Sequence, residues 1–148
     1  MDDWLRQRAR LDDWFRHHAL HNPKSGASRT YVVCPAGSRQ IIGYYALSMG
    51  QILAHENVGS IRGNVPCAIP VVVLGRLAID LTWQGRGLGR AMLANVVRRS
   101  RRAAVEVAAR LVIVHAISPT AEAFYHHHGF TRLPLGAPIL GINIMKFQ

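Results

Sequence analysis

Residues 69–90 read IPVVVLGRLAIDLTWQGRGLGR and contain the clearest change of pattern in the chain. The first part, Ile69–Asp80, is apolar nearly throughout, as a central strand buried on both faces should be. Gly75 interrupts that run, which is a common sign of a bulge or of a close backbone approach. From Leu88 to Arg110 the apolar residues recur at helical spacing. The stretch therefore predicts a strand, a glycine-rich loop and a long amphipathic helix in succession.

The loop between that strand and that helix has the composition of an anion site. Glycine lets the backbone approach a ligand closely, and the amide groups that open a helix have no acceptor within it. Together with the helix dipole these amides suit a pyrophosphate, and two arginines add charge. On the glycines alone, a tight strand-to-helix connection is the alternative. The candidate ligand-binding residues are Gln84, Gly85, Arg86, Gly87, Leu88, Gly89 and Arg90.

The rest of the chain supplies further strands and helices on both sides of this stretch. Residues 2–21 have apolar residues at roughly helical spacing, which predicts a helix. A polar loop is predicted over residues 50–67. The order of elements predicts one α/β domain over residues 1–148, with a central mixed, mostly antiparallel sheet flanked by helices. The other predicted strands are Ser28–Cys34, Gln40–Ser48, Leu111–Ala116, Phe130–Leu133 and Ile139–Phe147, and Ser118–His128 is a predicted helix capped by Ser118 and Gly129.

The charge of the chain is strongly positive, with a formal net charge of +10 from 18 basic and 8 acidic residues. All but two of the basic residues are arginine, whose planar fork matches phosphate oxygens. This composition favours a polyanionic partner such as a nucleic acid, and a charge that serves only solubility is the alternative. A solvated helix face is the alternative for the arginines of the long helix. The candidate substrate- or RNA-binding residues are Lys24, Arg29, Arg76, Arg98, Arg101 and Arg102.

Two other features bear on the kind of site. No apolar run approaches the ~20 residues that a membrane-spanning helix needs, so no membrane partner is predicted. His126, His127 and His128 are consecutive on a predicted helix and point in different directions, so no metal site is predicted. We expect His115, on a core strand, to be buried.

Three segments resemble one enzyme superfamily. The pattern Gln84-x-x-Gly87-x-Gly89 after an apolar strand resembles the cofactor motif of the GNAT superfamily of N-acetyltransferases. The sequences LVIVHA at 111–116 and AFYHHHGF at 123–130 resemble the strand and the helix that carry the tyrosine general acid of that superfamily. The fold that the resemblance implies is the GNAT-like α/β sandwich.

Within the superfamily, one branch is similar in further places. The sequences LDDW at 11–14, SGASRTYVV at 25–33 and GRLAID at 75–80 resemble the tRNA-acetylating toxins of type II toxin–antitoxin pairs. The superfamily normally has a strand before its first helix. This chain starts inside that helix, so the first family strand is expected to be missing at the N-terminus.

The resemblance implies roles for named residues. Acetyl-CoA is the donor, an amine is the acceptor, and Tyr125 is the general acid that protonates the leaving thiolate. The pyrophosphate lies on the amides of residues 84–90. Phe124 is a wall for the cofactor arm or part of the core, and Ser118 contacts the cofactor or only caps its helix. The pantetheine arm runs along Leu77, Ala78 and Ile79.

The resemblance thus predicts an acetyl-CoA-dependent toxin that acetylates the α-amino group of aminoacyl-tRNA and so blocks translation. By resemblance, the expected partners are a cognate antitoxin of the ribbon-helix-helix type and a second copy of the chain, and the expected location is the cytoplasm. One alternative is a GNAT enzyme that acetylates a protein N-terminus, a lysine or a small amine. Another is an inactive GNAT fold that binds nucleic acid.

Overall fold

A computed structural model describes residues 28–55 and 66–145 of the chain. The helix predicted over residues 2–21 lies outside those residues, and so does the expectation that the first family strand is missing. No helix within the described ranges is long and apolar enough to cross a membrane. The elements are β1 (Arg29–Val33), β2 (Gly43–His55), β3 (Pro66–Ile79), a 3₁₀ turn (Leu81–Trp83), α1 (Leu88–Val107), β4 (Leu111–His115), α2 (Pro119–His127), β5 (Thr131–Arg132) and β6 (Ile139–Asn143).

The strands form a six-stranded sheet in the order β1-β2-β3-β4-β6-β5. β1 pairs antiparallel with β2, with Tyr31 opposite Tyr45. β6 pairs antiparallel with both β4 and β5, and its Gly141 lies opposite Ile113 and Thr131. The predicted class, a mixed and mostly antiparallel sheet with helices, is confirmed.

The described residues divide into two compact units, of which the first comprises residues 28–48 and 74–96. Its hairpin turns at Gly37, whose φ of 74° is in the left-handed region that glycine adopts readily. Tyr45 is buried, stacks on Tyr31 with ring centroids 5.0 Å apart, and donates its hydroxyl hydrogen bond to Asn95 Oδ1 over 2.5 Å. These contacts connect β1, β2 and the first half of α1.

Gly43 lies where two strands and the helix of this first unit approach one another closely. A Cβ atom at this position would stand 3.1 Å from the Ala78 carbonyl oxygen and 3.1 Å from Met92 Sδ. Such contacts are tighter than ordinary van der Waals packing, so the absence of a side chain permits the approach. Ala78 belongs to the part of β3 that leads into the glycine loop, and Gly43 therefore helps to set its position.

The second unit comprises residues 49–55, 66–73 and 97–145. Its core includes the centre of β4 at 112–114, which is buried, together with Phe130 and Leu140, which are fully buried. α2 begins as predicted, because Ser118 Oγ accepts a hydrogen bond from the Ala121 amide over 3.1 Å. At the other end the cap residue is His128, and Gly129 follows it with φ 92°.

Two expectations about this second unit are wrong. The segment 50–67 is not a loop throughout, because β2 continues to His55 and β3 begins at Pro66. A Cβ atom on Gly50 would stand 2.8 Å from Val73 Cγ2, so close cross-strand approach outweighs the loop-like composition. His115 is exposed, because it ends β4 rather than lying at its centre.

Candidate active site

The connection from β3 to the glycine loop is a short, hydrogen-bonded turn. The Asp80 carboxylate Oδ1 accepts from the Thr82 amide over 2.9 Å and from the Thr82 hydroxyl over 2.7 Å. The Gln84 side-chain amide reaches back and donates to the Ile79 carbonyl over 3.1 Å. The Trp83 amide donates to the Asp80 carbonyl over 2.9 Å. The turn therefore holds the end of β3 in a defined relation to the start of the loop.

The glycine loop leaves room for a ligand in front of its backbone. Gly85 and Gly87 have φ values of 74° and 77°, which side chains rarely permit. Among the described residues, apart from each glycine and its two chain neighbours, no atom lies within 4 Å of the place where a Cβ would stand on either residue. The first bond of α1 runs from the Ala91 amide to the Gly87 carbonyl over 3.1 Å, so the amides of residues 88–90 have no acceptor inside the helix. Open space and free donors are what a pyrophosphate requires.

The charge around these amides is also suited to an anion. The Arg86 guanidinium carbon lies 4.9 Å from the centroid of the Trp83 ring, in a cation–π contact. Arg90 is exposed in the first turn of α1, and that turn contains no acidic residue. The residues present therefore fit the diphosphate of a coenzyme A, with backbone donors supplemented by two cations.

The strand residues Leu77, Ala78 and Ile79 are half-buried and lead directly into this turn. The sequence predicts that a pantetheine arm lies along them, and that role stays a prediction. β3 runs through Gly75 without interruption. Arg76 is half-buried beside it, and its Nη1 donates to the Gly75 carbonyl over 3.1 Å.

Tyr125 of α2 is buried, with 7% of its surface exposed. Its ring contacts Phe124 and Phe130 at centroid distances of 5.2 Å and 5.5 Å. Burial raises the pKa of the Tyr125 hydroxyl well above its ordinary value, because the phenolate would lose its hydration. The hydroxyl is protonated at neutral pH, as the role of a general acid requires, and that role of Tyr125 stays a prediction from the resemblance.

The neighbours of Tyr125 have visible structural roles. Phe124 is half-buried and meets the His128 ring edge-on at 4.8 Å. Ser118 caps α2, and that bond supports the capping interpretation of this residue. The His127 and His128 rings contact each other at 5.1 Å. Over the part of the chain that the structure describes, no group of three or more His, Cys, Asp or Glu side chains could hold a metal ion.

The predicted basic residues are distributed over both units. Arg29 begins β1 and is exposed, whereas Lys24 lies outside the described residues. Arg98, Arg101 and Arg102 are exposed on α1, as a ligand surface or a solvated face would be. Arg101 differs from the other two, because its Nε donates to the Ile144 carbonyl over 2.6 Å and connects α1 to the end of β6.

Sequence reasoning misses the side chains that organise the turn. It gives Trp83 no role, although an aromatic residue three positions before Arg86 can be a cation–π partner within one turn. It names Asp80 only as the last residue of the predicted strand. The spacing Asp-x-Thr is a known signal for a side chain that caps its own turn, and it is satisfied here.

Comparison with known proteins gives a consistent result. Residues 27–132 match the acetyltransferase (GNAT) domain family. A tRNA-acetylating toxin of Mycobacterium tuberculosis is 40% identical over 124 residues, which are 84% of this chain and 74% of that protein.

Two solved structures are similar over most of the chain. One is AtaT complexed with acetyl-methionyl-tRNAfMet, at 27% identity and a TM-score of 0.80, covering 93% of this chain and 83% of that one. The other is a tyrosine-to-phenylalanine mutant of the AtaT toxin bound to the C-terminus of the antitoxin AtaR and acetyl-CoA. It has 26% identity and a TM-score of 0.79, and the match covers 94% of this chain and 82% of that one.

Proposed function

This chain belongs to the acetyltransferase (GNAT) family, and on that basis we propose that it transfers an acetyl group from acetyl-CoA to the α-amino group of an aminoacyl-tRNA. The main support for aminoacyl-tRNA as the substrate is the 40% identity to a tRNA-acetylating toxin. The glycine loop, with its exposed backbone amides and two arginines, supports acetyl-CoA as the donor of the acetyl group. The chain is then the toxin of a toxin–antitoxin pair, and acetylation of charged tRNA blocks translation.

The reaction needs little more than alignment and one proton donor. Bound acetyl-CoA supplies a thioester, and the acceptor is an amine whose pKa is near 7.7–8.0 when unperturbed, so much of it is neutral near pH 7. The C–N bond forms as the C–S bond breaks, and the amine loses a proton to solvent. Tyr125 donates its hydroxyl proton to the departing sulfur and regains one from solvent.

Two roles within this proposal follow from the positions of the residues. The amides at the start of α1, with Arg86 and Arg90, hold the pyrophosphate and so fix the donor. The backbone of residues 77–79 orients the pantetheine arm. The protein then contributes mainly by placing the amine against the thioester.

The alternatives have less support. A small amine would favour an acidic acceptor pocket, and this chain has only 8 acidic residues, four of them within the first thirteen. An inactive nucleic-acid-binding module would not need a glycine loop that leaves open space in front of its backbone. A protein N-terminus or a lysine as acceptor differs from the proposed substrate mainly in having no polyanion attached.

The proposal includes partners by family resemblance. The AtaT toxin is bound to the C-terminus of its antitoxin in one similar structure, and we propose an antitoxin, of the ribbon-helix-helix type, for this chain as well. A homodimer and a location in the cytoplasm, where charged tRNA is found, complete the proposal.

The experiment that tests the function is acetyl transfer from labelled acetyl-CoA onto a charged tRNA pool, compared with free amino acid esters. We expect efficient acetylation of at least one aminoacyl-tRNA and weaker acetylation of the matching ester, because the ester lacks the phosphates that the basic surface binds. As the salt concentration rises, acetyl transfer to the charged tRNA should fall, whereas transfer to the ester should not. Equal efficiency on both acceptors at all salt concentrations would contradict aminoacyl-tRNA as the specific substrate, and the protein would then be an acetyltransferase without a preference for tRNA.

The arginines of α1 give a prediction about the RNA footprint. Changing Arg98 and Arg102 to glutamine should flatten the log–log salt dependence of tRNA binding by about 0.9 for each phosphate that the protein no longer neutralises. Arg101 is left intact, because its bond to Ile144 supports the fold. The matched control is Arg39→Gln with Arg132→Gln, which removes the same charge from other exposed positions. The same flattening in both pairs would mean that only net charge matters.

A further inference from the structure

The turn between β3 and the glycine loop has more side-chain contacts than a simple connection needs. The Asp80 carboxylate binds both the amide and the hydroxyl of Thr82, over 2.9 Å and 2.7 Å. Gln84 returns its side-chain amide to the Ile79 carbonyl, over 3.1 Å. The first and the last residue of the segment 80–84 are therefore each held by their own side chain.

The backbone of the same segment is also fixed. The Trp83 amide donates to the Asp80 carbonyl over 2.9 Å, and the Gln84 amide donates to the Leu81 carbonyl over 3.3 Å. The Asp80 amide donates to the Ile42 carbonyl of the neighbouring chain segment over 2.7 Å. A change in the length of the segment would break several of these bonds, so they favour one span between its two ends.

We propose that Asp80 and Gln84 are positioning residues that fix the span between the backbone of residues 77–79 and the amides that open α1. This inference rests on the proposed use of acetyl-CoA, whose pantetheine arm and pyrophosphate are parts of one molecule. Two subsites held at the right separation bind such a ligand far better than either subsite alone. Gln84 then acts through the Ile79 carbonyl, and its side chain does not touch the phosphates.

If Asp80 and Gln84 are positioning residues, a substitution at either one should change the affinity for some ligands and not for others. ADP needs only the glycine loop, and acetyl-pantetheine needs only the strand, so neither depends on the separation of the two subsites. Acetyl-CoA needs both at once and loses affinity when the segment is allowed to vary. A residue that touches the pyrophosphate directly would instead affect ADP and acetyl-CoA alike.

The substitutions can be matched to each contact. Gln84→Met keeps the length of the side chain without a donor or a charge. Asp80→Ala removes the acceptor for Thr82, whereas Asp80→Asn keeps an oxygen that can cap the turn. Asp80→Asn is therefore the conservative variant that should restore binding.

The experiment measures the acetyl-CoA dissociation constant by calorimetry and the inhibition constants of ADP and acetyl-pantetheine by competition, on folded full-length protein. We expect Gln84→Met and Asp80→Ala each to weaken acetyl-CoA roughly tenfold, with both fragments within about twofold of wild type. Asp80→Asn should behave as wild type. Equal losses for ADP and acetyl-CoA, or unchanged acetyl-CoA affinity in both variants, would overturn the proposal. Failure of the wild type to bind acetyl-CoA would instead overturn the proposed function.

Discussion

Replacing Tyr125 with phenylalanine is expected to lower the turnover of acetyl transfer by about 10²–10⁴-fold, while acetyl-CoA still binds. The substitution removes one hydroxyl and keeps the ring that packs against Phe124 and Phe130. Turnover at saturating substrate and acetyl-CoA affinity, measured on the same preparation, give the two quantities.

The control for this prediction is Tyr31→Phe, which removes a hydroxyl from a tyrosine stacked on Tyr45 in the first unit. Its turnover should stay near that of the wild type. A Tyr125→Phe enzyme with wild-type turnover would mean that water or another group protonates the leaving sulfur. Loss of acetyl-CoA binding in that variant would place the hydroxyl in the donor site rather than in the chemistry.

The pH dependence of the wild type should follow from the same residue. Burial raises the pKa of Tyr125 above the ordinary value, which is near 10, so the hydroxyl remains protonated through the neutral and mildly alkaline range. The rate should therefore rise as the acceptor amine deprotonates near pH 8 and then stay level, rather than fall, up to about pH 10.

The parts of the fold that could be predicted from the sequence are those with local causes. Ser118 followed by Pro119 predicts a helix start because a side-chain oxygen and a preset backbone angle act within one turn, and the structure has both. The strand, glycine loop and helix of residues 69–90 are likewise set by local composition. These features needed no knowledge of distant residues.

The parts that could not be predicted depend on pairing with distant residues. β2 extends to His55 because its backbone lies against β3, as the Gly50–Val73 approach indicates, and composition at residues 50–55 does not reveal such a partner. The exposure of His115 depends on where β4 ends. In the site, Tyr125 is identified by resemblance, whereas its burial and raised pKa come from Phe130 and other residues around it.

The glycine loop gives the other large expected effect, which is electrostatic. Gly87→Asp should weaken acetyl-CoA binding about 100-fold, because it places a carboxylate beside the amides that hold the pyrophosphate, and like charges in contact cost several kcal/mol. The position has room for a side chain as far as the described residues show, since beyond the adjoining residues none of their atoms lies within 4 Å of its Cβ site. Asp and Asn tolerate the left-handed backbone at φ 77° better than other side chains do.

Gly87→Asn is therefore the matched control, since it has the same shape and the same backbone preference without the charge. We expect the asparagine variant to lose at least tenfold less affinity than the aspartate variant. An acidic residue next to a helix N-terminus favours the helix, so a weaker fold would not explain the loss.

Raising the salt concentration should return part of the affinity of Gly87→Asp, because mobile ions screen exposed charges. Calorimetry with acetyl-CoA at two salt concentrations separates the outcomes. Equal losses in the two variants would attribute the effect to backbone strain, and unchanged affinity in both would move the pyrophosphate away from this loop.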